Sequence, residues 1–275
     1  RFRNVTGVQT CALPILPGYA WHITHRCHER EFLLKFGRDR RRWLHWLFEA
    51  KKRYGLCILN YMATSNHIHL LVFDRGGREV IPRSMQLVAG RTGQEFNQRK
   101  KRKGAFWEDR YHATAVETNR HLIQCLLYMD LNMVRAGAVG HPHEWNESGY
   151  KEIQQPRLRY ALIDHGCLMG LLGIRSLDML QESHRTWVEE SLRAEGSARD
   201  SKWSESIAVG DKGFVARVKK QLGLRAKGRK ITESPGECQL RETQLPYSAV
   251  SGHENSHLSS QNLHPWEVYP FKPDA

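Results

Sequence analysis

The sequence predicts an α+β domain of the ferredoxin-like kind, an antiparallel sheet with helices on one face. Three observations predict it. Short alternating apolar runs read as strands, longer amphipathic segments between them read as helices, and their order is β-α-β-β-α-β-α. This unit is expected to occupy residues 16–165.

The elements follow in order. "GYAWHITHRC" alternates aromatic and β-branched residues and reads as a strand. "GRDRRRWLHWLFEAKKRYG" places Leu44, Leu47 and Phe48 at helical spacing, with Gly55 as its stop. "LCILNYMATS" and "NHIHLLVFD" are two strand-like runs close together, as an antiparallel pair would be. "REVIPRSMQLVAGRTGQEFNQRKK" puts Ile81, Met85, Val88, Ala89, Thr92 and Phe96 on one helical face. "AFWEDRYHATAVE" is another strand candidate, and "NRHLIQCLLYMDLNMVRAG" is an apolar helix closed by Gly137. Residues 166–231 read as a helical, basic, accessory DNA-binding region, with Phe214, Val218 and Leu222 as one apolar stripe. From 232 to 275 the chain is rich in Ser, Pro, Gly, Asn and His without periodicity, and is expected to be a disordered tail.

Composition narrows the partner. The chain of 275 residues carries 42 Lys and Arg against 29 Asp and Glu, a formal charge of +13. Such a surplus favours an anionic partner. No apolar run reaches the roughly 18 residues that span a bilayer, so nucleic acid is expected rather than a membrane. Cys11, Cys27, Cys57, Cys125, Cys167 and Cys238 show no CxxC spacing, so neither a zinc knuckle nor a redox motif is suggested. A reducing, cytoplasmic setting is expected. Val5–Ile15, "VTGVQTCALPI", matches the in-frame translation of a sequencing-adapter oligonucleotide. Residues 1–15 are therefore expected to be an assembly artefact and carry no argument.

Two segments carry chemistry. Alternation along "NHIHLLVF" puts His67 and His69 on one strand face and Ile68 on the other. Two imidazoles at i and i+2 can converge on one divalent ion, although ordinary polar residues near a strand end would read the same way. "HPHEW" and "HITHRCH" offer further histidines: the first spans a proline, and the second mixes strand faces. Both are read as structural, His22, His25 and His28 included. On the apolar helix a polar stripe runs through His121, Gln124, Tyr128, Asn132 and Arg135 at spacings of three and four. A helix packed on most sides must turn such a stripe towards a polar partner or a cleft. A Tyr using its ring as core and its hydroxyl for one hydrogen bond is the bland alternative.

Together "NHIHLLV" and "YMDLNMVRAG" resemble the HUH motif and nucleophile helix of single-tyrosine transposases. The narrower resemblance is to the REP-associated tyrosine transposases and their IS200-like relatives, with "FWEDRYH" and "EWNESGY" also matching. The resemblance implies an enzyme, an HUH endonuclease fold, and a bacterial, nucleoid-associated setting. It implies cleavage and rejoining of single-stranded or hairpin DNA through a 5′-phosphotyrosine on Tyr128. His67, His69 and Asn132 would hold one divalent ion, Mg²⁺ or Mn²⁺, and a mixed imidazole and oxygen set suits Mn²⁺ somewhat better. Two departures stand out. Met133 replaces the proline that many relatives carry, and some relatives have Gln at the position of Asn132.

Supporting roles are expected of neighbours. His121, Gln124 and Arg135 lie on the Tyr128 stripe and can assist a phenol whose ordinary pKa is near 10. Arg99, Lys100, Lys101, Arg102 and Lys103 are five consecutive cations, either a phosphate-binding turn, which Arg135 would join in gripping DNA, or a solvated loop. Trp107 and Tyr111 are either base-stacking platforms or core. A homodimer is left open. The rival function is a catalytically idle or domesticated DNA-binding regulator of repetitive hairpin elements. A zinc hydrolase is disfavoured, because no HExxH-like motif occurs.

Overall fold

The computed structural model describes residues 15–77, 79–118, 120–194 and 200–242. The first strand, β1, is Ala20–Arg26, followed by helix α1 at Gly37–Tyr54. Strands β2 (Cys57–Ala63) and β3 (His67–Phe73) lead to α2 (Val80–Lys100) and β4 (His112–Val116). Helix α3 (Arg120–Asp130) continues, after an irregular Leu131, as α4 (Asn132–Arg135). Beyond it come α5 (Tyr150–Gln154), α6 (His165–Leu172), α7 (Leu177–Arg193) and α8 (Lys202–Glu205). Strand β5 (Ser206–Gly210), α9 (Lys212–Leu222) and the hairpin β6 (Arg229–Ser234) and β7 (Glu237–Glu242) complete the described chain.

The α+β class holds. The sheet order is β2-β3-β1-β4-β5-β7-β6. Its first four strands have the ferredoxin-like arrangement, with β1 and β3 antiparallel at the centre. Among the described strands, the ladders are antiparallel except β4 with β5. Alternation then sorts the two faces. His25 stacks on Trp107, whose indole donates to the Ala89 carbonyl of α2, so odd-numbered β1 residues face α1 and α2. His22 and Thr24 point to the opposite face, where Tyr128 of α3 meets the His22 ring. The sheet is thus covered on both sides, and the site lies under α3.

Helix faces follow the sequence pattern with one rotation. Ile81, Met85, Val88, Ala89, Thr92 and Phe96 of α2 are all buried. On α1 the buried stripe is Trp43, Trp46, Leu47 and Ala50, so Leu44 and Phe48 sit at its margin. Large indoles dominate burial there. Helix α3 buries Leu122, Leu126 and Met129 in the main core, while Leu131 packs with Tyr150 and Val188 in a second cluster.

The C-terminal half differs from expectation. The stretch 166–231 holds helices, yet it also contributes β5, which pairs beside β4 and extends the same sheet. Short, partly polar strands such as "SIAVG" carry too few residues for a periodicity signal. Strand β7 lies where an unstructured tail was expected from 232; it is pinned between β5 and β6, with Leu240 buried. The remainder of that tail, 243–275, lies outside the described residues, as do residues 1–14 of the stretch set aside. Ile15, its last residue, is buried alongside Leu16.

Candidate active site

Strand pairing builds half of the site. In the β1–β3 register Thr24 lies opposite His69 and Arg26 opposite His67. His22, two residues back on the same face, therefore reaches His69 diagonally. Its Nε2 lies 3.0 Å from His69 Nδ1, and its Nδ1 lies 3.0 Å from the Trp203 carbonyl oxygen. His22 is fully buried, and burial pushes its pKa down to about 3.

Donor and acceptor chemistry then sets the ring protons. A carbonyl only accepts, so His22 carries its hydrogen on Nδ1. Neutral His22 has a bare Nε2, which accepts from His69 Nδ1–H. A neutral His69 in turn presents a bare Nε2. On the other ring, the Thr64 hydroxyl donates to the His67 carbonyl at 2.9 Å, and the Asn66 amide nitrogen donates to the Arg30 carbonyl. Thr64 Oγ1 and Asn66 Oδ1 are thus acceptors towards His67 Nδ1, at 2.9 and 2.7 Å. His67 carries its hydrogen there too. The two bare Nε2 atoms face each other at 3.1 Å.

Helix α3 supplies the other half. Tyr128 is buried, with its ring 5.7 Å from the His69 ring and 6.1 Å from that of His22. Asn132 follows one turn later, its amide 3.2 Å from His69 Nε2. Arg135 donates to the Tyr128 carbonyl and lays its guanidinium 4.5 Å from the centre of the Tyr128 ring. Burial lowers the Arg135 pKa, while Tyr128 and Asp200 act in the opposite direction; a guanidinium nonetheless stays cationic. The helix is pinned from below, because Asp130 accepts from the Asn60 amide of β2 at 3.0 Å and meets His184 of α7 at 2.8 Å.

The donor set fits a divalent ion. Two nitrogens bound at about 2.1 Å and near right angles lie about 3 Å apart, and two facing lone pairs repel unless a cation or a proton lies between them. The Asn132 amide places nitrogen nearest His69; turning the amide over presents its oxygen instead, and the two orientations are assigned by partner. Among the described residues no group of three or more His, Cys, Asp or Glu could hold a metal. The Asn132 amide beside His69 lies outside that set.

The remaining expected residues divide. His121 is buried but held by Glu117 at 3.6 Å and Glu237 at 3.7 Å, and Gln124 is exposed. Arg99 is tied to Asp39, and Arg102 to Glu31 and to the Ala105 carbonyl, so two of the five cations hold the turn. Lys100, Lys101 and Lys103 are exposed. Tyr111 is buried in the core, and half-buried Trp107 packs against it, stacked 4.2 Å from His25. Sequence reasoning missed His22, because its role depends on the β1–β3 register. It missed Trp203 because that residue arrives on a strand pairing far along the chain.

Residues 17–130 match the family described as "Transposase IS200 like". The match covers less than half of the chain. The match spans β1 to α3, including His67, His69 and Tyr128, and ends just before Asn132. No curated protein matches the chain. One similar solved structure is described as the REP-associated tyrosine transposase bound to a REP hairpin, at 16% identity and a TM-score of 0.42. It covers 53% of this chain and 86% of its own. Among the described residues no helix is long and apolar enough to cross a membrane.

Proposed function

We propose that the IS200-like domain cleaves and rejoins single-stranded or hairpin DNA through a covalent bond to Tyr128. The observation that carries this reading is the convergence of the bare His67 and His69 nitrogens, 3.1 Å apart, with the ring of Tyr128 beside them. His67, His69 and the Asn132 amide oxygen would hold Mg²⁺ or Mn²⁺. When bound, that ion supplies charge stabilisation for a phosphate oxygen in the transition state.

The chain's own residues do the rest. Tyr128 Oη forms a bond to phosphorus as the bond from phosphorus to the 3′ oxygen breaks. The product is a 5′-phosphotyrosine and a strand end that takes up a proton as a 3′-OH. A phenol with an ordinary pKa near 10 is a poor nucleophile at neutral pH. The Arg135 cation beside its ring favours the phenolate and draws the backbone phosphate towards it. Burial of Tyr128 limits competing water. Because the phosphoester bond energy is conserved, a 3′-OH can reverse the step without ATP.

The test is a covalent adduct. Incubated with labelled hairpin or single-stranded DNA and Mn²⁺, the native chain is expected to give a slower band on a denaturing gel, and Tyr128→Phe to give none. An adduct that persists in Tyr128→Phe removes the nucleophile assignment. Tight binding without any adduct favours a DNA-binding regulator.

A further inference from the structure

We propose that His22 is a positioning residue, holding His69 in the Nδ1–H form while being held itself by the main-chain carbonyl of Trp203. The inference rests on the reading of His67 and His69 as a metal pair. Three observations on different elements support it. First, the β1–β3 register puts His22 on the His69 face, and the two rings are nearly parallel at 5°, with facing nitrogens 3.0 Å apart. Second, the outer nitrogen of His22 meets an oxygen that can only accept, at 3.0 Å. Third, His22 is fully buried, so no solvent competes for either nitrogen.

A histidine ligand commonly donates its outer N–H to a carboxylate, a carbonyl or water. Here that acceptor is a second histidine, and the polarity of the chain is set one step further out. A carbonyl cannot switch between donor and acceptor, whereas a hydroxyl or amide can. Fixing the far end with Trp203 therefore fixes both rings. Trp203 lies 73 residues beyond the family match, on α8, which leads into β5. Its indole stands at 90° to His22 and lies 6.0 Å from the Tyr128 ring. The segment after residue 200 thus reaches the metal pair and the tyrosine from behind, and β5 anchors it by pairing with β4.

Two measurements test this. In the native chain without metal, a long-range proton–nitrogen NMR spectrum of the histidine rings reports which nitrogen carries hydrogen. The expected result is Nδ1–H on both His22 and His69; Nε2–H on His69 overturns the proposal. Mn²⁺ titration, read by the loss of the free-ion EPR signal, supplies the second. Replacing His22 by Leu removes the acceptor at similar volume and is expected to weaken Mn²⁺ binding about 10–100-fold. Replacing His22 by Gln keeps an acceptor oxygen and is expected to retain most of the affinity. Native affinity in His22→Leu, with affinity lost in His69→Ala, overturns the positioning role alone. Native affinity in His69→Ala overturns the metal-pair reading beneath it. If His22→Leu fails to fold, the ring spectrum of the native chain decides.

Discussion

His25 shows how burial alone can make a single residue sensitive to acid. Its ring stacks on Trp107, its Nε2 donates to the Asp109 carbonyl at 2.8 Å, and its buried Nδ1 has no hydrogen-bond partner. Burial pushes its pKa down to about 4, against the smaller opposing pull of Asp109. Between pH 4 and the unfolded value near 6.5, the unfolded chain binds more protons than the folded one. Stability therefore rises with pH in that window and is level above it. We expect the melting temperature to fall as pH drops from 6.5 to 4.5, His25 contributing a few kcal/mol to the loss. His25→Phe should melt with a shallower pH dependence, whereas an unchanged slope would assign the acid sensitivity elsewhere. At this scale the sequence was informative wherever spacing sufficed. That His67 shares a strand face with His69, and Tyr128 a helix stripe with Asn132, was legible from strand and helix periods; their grouping into one site came from the resemblance to single-tyrosine transposases. The place of His22 was not legible, since its parity within β1 says nothing of which strand lies beside it.

Among the elements, the join between β2 and α5 controls where α3 sits. Gly149 donates its N–H to the Tyr61 carbonyl at 2.8 Å, so the α5 entrance lies directly against the strand. A Cβ on Gly149 would collide with the Asn60 side-chain oxygen and press on Ile163. Asn60 also donates to Asp130, two residues beyond Tyr128. Gly149→Ala should thus cost about 1–3 kcal/mol, as overpacking does, measurable by urea unfolding. It should also lower the Tyr128 adduct yield more than Gly170→Ala, a site where an added Cβ meets nothing. Equal yields would mean that α3 does not depend on Asn60 for its placement. The faces of α2 and α3 were readable from their 3.6-residue period. The addition of β5 to the sheet was not, because a parallel pairing of two residue pairs leaves no local pattern.

For the whole molecule, the charge of +13 matters through its distribution. Arg99 and Arg102 are consumed by Asp39 and Glu31, which leaves Lys100, Lys101 and Lys103 exposed at the end of α2. Counterion release lowers the logarithm of affinity for single strands by about 0.7 per decade of salt for each phosphate contact. Replacing the three lysines by Ala should then reduce the salt slope of single-strand binding by about 2, without changing thermal stability. An unaltered slope would make the turn a solvated loop. Arg99→Ala is the contrasting case: it strands the buried Asp39 carboxylate and should lower stability.

The sequence by itself determined the α+β class, the surplus of positive charge, the faces of the main helices and which candidate residues share a face. Those properties follow from period and charge, which are local sums along the chain. Only the tertiary structure decided that His22 meets His69, that the Trp203 carbonyl meets His22, that Trp107 packs against the core, and that the segment after 200 extends the sheet. Each of these depends on which strands lie side by side and in what register. Register is set by the summed packing of two faces and two chain segments, so no single stretch of sequence contains it.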